Sequence, residues 1–187
     1  DSTNQTYFMK KALILGCVLL FVGCKNNKNS SKSALENTGE QFRPAYHFTP
    51  DKNWMNDPNG LVYFEGEYHL FYQYYPDDNV WGPMHWGHAV SSDMMHWERL
   101  PIALYPDDLG YIFSGSIVID WENTAGFGTE ENPAMIAIYT YHDMAGEKAK
   151  RIDYQTQAIA YSLDKGRTWT KYKENPVISN PGVKDFR

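Results

Sequence analysis

Apolar and polar positions along this chain form short runs, with few long stripes. Residues 61–64 and 68–74 are aromatic and β-branched, and Glu65-Gly66-Glu67 between them is a hairpin signature. Further strand-like runs cover 86–91, 97–100, 113–119, 135–141, 157–162 and 168–172. Gly, Pro, Asp and Asn fill the segments between. No window sustains a helical period. Short strands at regular spacing predict an all-β sandwich, barrel or propeller.

The first 42 residues follow a different pattern. Met9-Lys10-Lys11 is a basic start, and residues 12–22 are an apolar run too short to span a bilayer as a helix. The run ends at Gly23-Cys24. FVGC at 21–24 resembles a bacterial lipoprotein cleavage box, whose Cys is acylated and becomes the new N-terminus, although Phe21 is a poor match. ILGC at 14–17 fits the box but leaves only a few apolar residues, so Cys24 is the expected lipidation site. An ordinary secretory signal cut near Gly23 is the alternative. Residues 1–8 read as an over-long gene start or an expression scar, 9–24 as the signal peptide and 25–42, rich in Asn, Ser and Lys, as a flexible tether. The expected location is beyond the inner membrane, lipid-anchored at the outer membrane, the cell surface or in the periplasm.

Charge and cysteine narrow the remainder. Five lysines face three acidic residues in 1–42, a balance of +2, so residues 43–187 carry −8 of the net −6. So acidic a domain repels phosphate backbones, which argues against nucleic acid as a partner. It suits a neutral polyhydroxyl ligand better. No Cys follows position 24, so the domain has no disulfide, thiolate metal site or thiol nucleophile. His85 and His88 lie three apart and would point to opposite faces of a strand. With His69 and His96 they read as structural, and no metal is expected.

Among all-β folds, one motif favours the propeller. Residues 162–169, SLDKGRTW, match the S-x-D-x-G-x-T-W hairpin called an Asp box, common in sialidase-like propellers. Asp164 would bind nearby backbone amides and Trp169 would pack beneath, a structural role that leaves Asp164 no part in catalysis. Residues 92–97, SDMMHW, read as a degenerate copy, which suggests repeated blades.

The stretch Trp54-Met55-Asn56-Asp57-Pro58-Asn59-Gly60 carries the candidate chemistry. Pro58 pushes Asp57 toward an extended conformation, and Asn59-Gly60 tolerates a turn, so Asp57 is expected on a stiff corner before the strand at 61–64. D-P-N-G alone is ordinary turn chemistry. The larger set, WMNDPNG, then FYQYYP, then WGPMHWGHAVSSDMMHWERLPIALYPD, then FSGS, resembles glycoside hydrolase family 32 in order and spacing. The resemblance runs from about Pro44 to Arg187. It implies a five-bladed propeller that cleaves fructosyl linkages in levan, inulin or sucrose. It also implies a retaining mechanism with no cofactor.

By that resemblance Asp57 is the nucleophile and Asn56 hydrogen-bonds the fructosyl ring. Gln73 contacts sugar hydroxyls, Trp54 and Trp81 are apolar walls, and Phe113 and Ser114 lie near the sugar. Core packing is the alternative for Trp81 and is preferred for Trp86; an exposed strand position is the alternative for Gln73. The family's acid/base Glu precedes a Cys, and no such pair occurs here. Arg187 resembles the Arg of the family's Arg-Asp-Pro motif, and Asp185 is out of register with it. Residues 43–187 number 145, about three blades at about 45 residues each. The expectation is therefore the N-terminal part of the enzyme, inactive by itself. A non-catalytic fructan-binding lipoprotein or a decayed gene is the alternative. An arabinan- or xylan-cleaving propeller is a third reading, opposed by the pairing of FSGS with WMNDPNG.

Overall fold

The computed structural model describes residues 40–44 and 46–187. Cys24, the segment assigned to the signal and residues 25–39 of the tether lie outside the described residues. Within the unit Arg43–Arg187 the strands are β1 Trp54–Phe64, β2 Glu67–Tyr75, β3 His85–Ser91, β4 Glu98–Leu104, β5 Tyr111–Asp120, β6 Ala134–His142, β7 Gln155–Ser162 and β8 Thr170–Lys171. They form two antiparallel meanders, ordered β1-β2-β3-β4 and β5-β6-β7-β8. Each is a four-stranded propeller blade. Each of the eight expected runs overlaps one strand. The length-based figure of about three blades resolves to two sheets among the described residues, because long connections at 76–84, 121–133 and 143–154 consume chain.

One helical turn, α1 Met144–Lys148, was not expected. Five residues are too few for a period to show. Asp143 starts the turn by accepting from the amides of Ala145 and Gly146, both at 3.0 Å.

Strand β1 departs most from the sequence reading. It begins at Trp54, so Asp57, Pro58 and Asn59 lie inside the strand and not on a corner before it. Two slips accommodate them. Between the pairs Met55↔Tyr74 and Pro58↔Tyr72, two residues (Asn56, Asp57) face one (Gln73). Between Asn59↔Phe71 and Val62↔His69, Gly60 and Leu61 face Leu70. Each is a β-bulge, which bends the strand and re-aims a side chain. Gly60 takes φ +51, and a Cβ there would stand 2.9 Å from Ile117 of β5. Strand β5 bulges in the same way: between Ile112↔Tyr141 and Gly115↔Tyr139, Phe113 and Ser114 face Thr140. A Cβ on Gly115 would meet the Ile138 carbonyl at 2.0 Å, so only glycine lets β5 close onto β6 there.

The core lies between the sheets, with Phe71, Trp86 and Leu104 from the first meeting Ile112, Tyr139 and Tyr141 from the second. The Asp box forms as expected. Asp164 accepts from the Thr168 amide and hydroxyl at 2.9 and 2.6 Å, and Trp169 packs edge-on against Phe71. The degenerate copy starts one residue earlier than read: Ser91, not Ser92, donates to Asp93 at 3.0 Å. Arg167 reaches from the Asp box to grip both carboxylate oxygens of Glu67, at 2.7 and 2.6 Å.

Beneath that contact lie His69 and His88, both fully buried, with Nδ1 of the first 3.0 Å from Nε2 of the second. Burial outweighs the attraction of Glu67 and holds His69 down at about 4. Burial, then His69 and Arg167, hold His88 at about 3. The ordinary value is 6.5, so below pH 6.5 the unfolded chain binds more protons than the folded one. The pair's contribution to stability is full above pH 6.5 and is lost as pH falls toward 4. The loss between pH 7 and pH 5 should be about 2 kcal/mol per histidine. Urea unfolding at the two pH values, with His88→Gln alongside, checks this. Equal pH sensitivity in both proteins would mean that the buried pair is not the cause.

Candidate active site

The three bulges put the chemistry-bearing residues in one place. The first bulge turns the Asp57 side chain into solvent. The β5 bulge brings Ser114 against it from the other sheet. Ser114 Oγ donates to Asp57 Oδ2 at 2.9 Å, across 57 residues of sequence. Asn56 Nδ2 donates to Asp57 Oδ1 at 3.3 Å, and Trp54 Nε1 donates to Asn56 Oδ1 at 2.9 Å. Both carboxylate oxygens are thus held, and Asn56, which holds Oδ1, is itself held by Trp54. An exposed carboxylate with its direction set from two strands is suited to attack.

Below this row lies Asn59. Its Oδ1 accepts from the Gly115 amide at 3.4 Å and joins β1 to β5. That role has no local signature, since Asn before Gly reads as a turn. Gln73 faces the Asn56–Asp57 bulge and is 2% exposed, which answers the exposed-strand alternative. The side-chain amide nitrogens of Gln73 and Asn59 are buried without a protein partner. A buried donor left so costs about 1–3 kcal/mol.

The aromatic residues divide by burial. Trp86 is fully buried and donates to the Phe113 carbonyl at 3.0 Å, so it belongs to the core. Trp81 is 44% exposed and meets Phe113 edge-to-face, with ring centroids 6.3 Å apart. Tyr111, absent from the sequence reading, lies 6.1 Å from Trp81. Phe113 stacks on His142 at 4.1 Å. Arg187 lies over the Phe113 ring at 6.0 Å. Its segment is tied to β7 by Gln157, which donates to the Phe186 carbonyl at 2.7 Å.

The other histidines take structural positions. His85 lies 2.8 Å from the Pro83 carbonyl through Nδ1, and burial lowers its affinity for a proton. His96 pairs with Asp93 at 2.7 Å on the surface. Among the described residues, no group of three or more His, Cys, Asp or Glu side chains is placed to hold a metal ion.

Comparison with known proteins adds to this geometry. Residues 47–187 match the model of the glycosyl hydrolases family 32 N-terminal domain. The chain is 64% identical over 148 residues to a levanase of Bacillus subtilis (strain 168), covering 79% of this chain and 21% of that protein. The crystal structure of exo-inulinase from Aspergillus awamori superimposes with a TM-score of 0.63 at 46% identity, covering 73% of this chain and 28% of the other. The β-fructofuranosidase of Schwanniomyces occidentalis, complexed with fructosyl-erythritol, gives 0.63 at 47% identity, with coverage of 72% and 26%. The chain therefore spans about a fifth of the levanase and just over a quarter of each solved fructosidase.

Proposed function

Because the chain belongs to glycoside hydrolase family 32, we propose that it carries the nucleophile half of a retaining enzyme that releases fructose from fructans or sucrose. The observation that supports this best is the Ser114–Asp57 hydrogen bond, which joins two bulged strands at an exposed carboxylate. Asp57 attacks C2 of a terminal fructosyl unit, the glycosidic oxygen departs with a proton from a second carboxyl group, and water then frees the sugar. Asn56, Gln73 and Ser114 meet sugar hydroxyls. Trp54, Trp81 and Phe113 wall the pocket, offering apolar surface to the ring carbons.

The acid/base is the Glu that precedes a Cys in the family motif, and the 187 residues contain no such pair. The experiment is fructose release from levan, inulin and sucrose by the longer protein that includes these residues. Release from none of the three would overturn the proposal.

The place of action follows the first segment. A relative is named an extracellular exo-inulinase, and the basic start, apolar run and Gly23-Cys24 support export here too. In this reading residues 9–24 are removed or modified, Cys24 carries the lipid, 25–42 form the tether and 43–187 the catalytic domain. Cells fed radioactive fatty acid should label the protein, and Cys24→Ala should lose the label. Unchanged labelling of the variant would exclude Cys24 as the anchor.

A further inference from the structure

The pocket wall at Phe113 has a backing that the reaction itself does not use. The Phe113 ring lies flat on the imidazole of His142, 4.1 Å between centroids and 11° between planes. His142 ends β6 and is 4% exposed. Both of its nitrogens are engaged. Nδ1 stands 3.2 Å from Gln155 Nε2, on the residue paired with His142 across the β6–β7 ladder. Nε2 stands 3.1 Å from Glu147 Oε2, presented by the α1 turn that Asp143 caps. An amide nitrogen only donates, so Nδ1 accepts and the proton on Nε2 is given to Glu147. A ring anchored at both nitrogens is not free to turn about its own axis, and a ring stacked on it takes the same plane.

We propose that His142 is a positioning residue for the fructosyl pocket: Glu147 and Gln155 fix its imidazole, and the imidazole sets the attitude of the Phe113 wall. The inference rests on the glycosidase reading above and deepens it. Space-filling alone does not account for the arrangement. An aliphatic side chain would occupy the site without desolvating an imidazole and an amide, and Gln155 Oε1 is left buried with no partner. The polar set does what an aliphatic cannot, which is to fix an orientation. A wall touches ground state and transition state alike, so a misplaced wall raises KM and leaves kcat nearly unchanged.

The test uses the longer, fructose-releasing protein. Stacked aromatic pairs contribute about 0.5–1.5 kcal/mol, so His142→Ala should raise KM roughly 2- to 10-fold. Glu147→Ala, a change at a half-exposed position that leaves the sheets intact, should raise KM about threefold, and Glu147→Gln should restore it, because its amide oxygen still accepts from Nε2. In a Phe113→Ala background, already raised in KM, His142→Ala should add nothing further, since its effect passes through Phe113. Additive effects of the two changes, a fall in kcat with KM unmoved, or an unchanged KM in both Glu147→Ala and His142→Ala would each overturn the inference. Failure of the glycosidase reading is separate: it would show as no fructose released by the unmutated protein.

Discussion

Asp57→Asn should reduce fructose release by the longer protein by at least about 10⁴-fold while leaving the fold unchanged. The size follows from chemistry. An amide oxygen is a far weaker nucleophile than a carboxylate oxygen, and loss of a covalent nucleophile typically removes most of the catalysed rate. Retention of the fold follows from geometry. Asp57 is exposed, Asn has the same shape, and its Oδ1 still accepts from Ser114 Oγ. The stability change should stay within about 0.5 kcal/mol, as for most surface substitutions. Turnover and urea unfolding on the same preparation decide the matter. Activity within tenfold of the unmutated protein, in a folded variant, would remove Asp57 from the mechanism.

A polypeptide limited to these 187 residues should release no fructose above background from sucrose, inulin or levan. Asp57 alone must expel an unprotonated oxygen, and general-acid help is worth about 10²–10⁴-fold. The Asp of the Arg-Asp-Pro motif is also absent from the sequence, and electrostatic stabilisers of this kind are each worth about 10²–10³-fold. Both losses fall on the transition state, so binding should suffer less than rate. Assay beside the longer protein reads the difference directly. Turnover by the 187 residues that vanishes in Asp57→Asn would falsify the assignment of the acid to the Glu-Cys motif.

Much of this architecture was legible because strand chemistry is local. The aromatic run at 68–74 is dense because β2 and β3 are buried through most of their length, and Glu65-Gly66 takes the two positive φ values of a tight hairpin. The Asp box was legible because its hydrogen bonds span only eight residues. What misled was the shared chemistry of turns and bulges. Pro58, Asn59 and Gly60 would serve either, and only pairing with β2 decides in favour of a bulged strand. His142 carried no signal, since its partners Gln155 and Glu147 meet it only through a ladder and a single helical turn. The Ser114–Asp57 bond was likewise invisible, because two separate sheets bring it about.

The paired slips in β1 have a further consequence, best put as parity. Side chains on a strand alternate with period two, so one extra residue inverts which side every later position faces. Strand β1 takes two extra residues, one on each side of Pro58-Asn59. The segment between the slips is therefore out of phase with β2, while Val62–Phe64 returns to the phase of Trp54 and Met55. Phe64 reaches the core as if the strand had never been interrupted. Pro58-Asn59 is thus a phase-inverted insert whose two errors cancel. A deletion of one residue would misdirect Phe64 and the hairpin beyond it. Deleting one from each slip would leave a regular hairpin with its core face intact and no carboxylate aimed at Ser114.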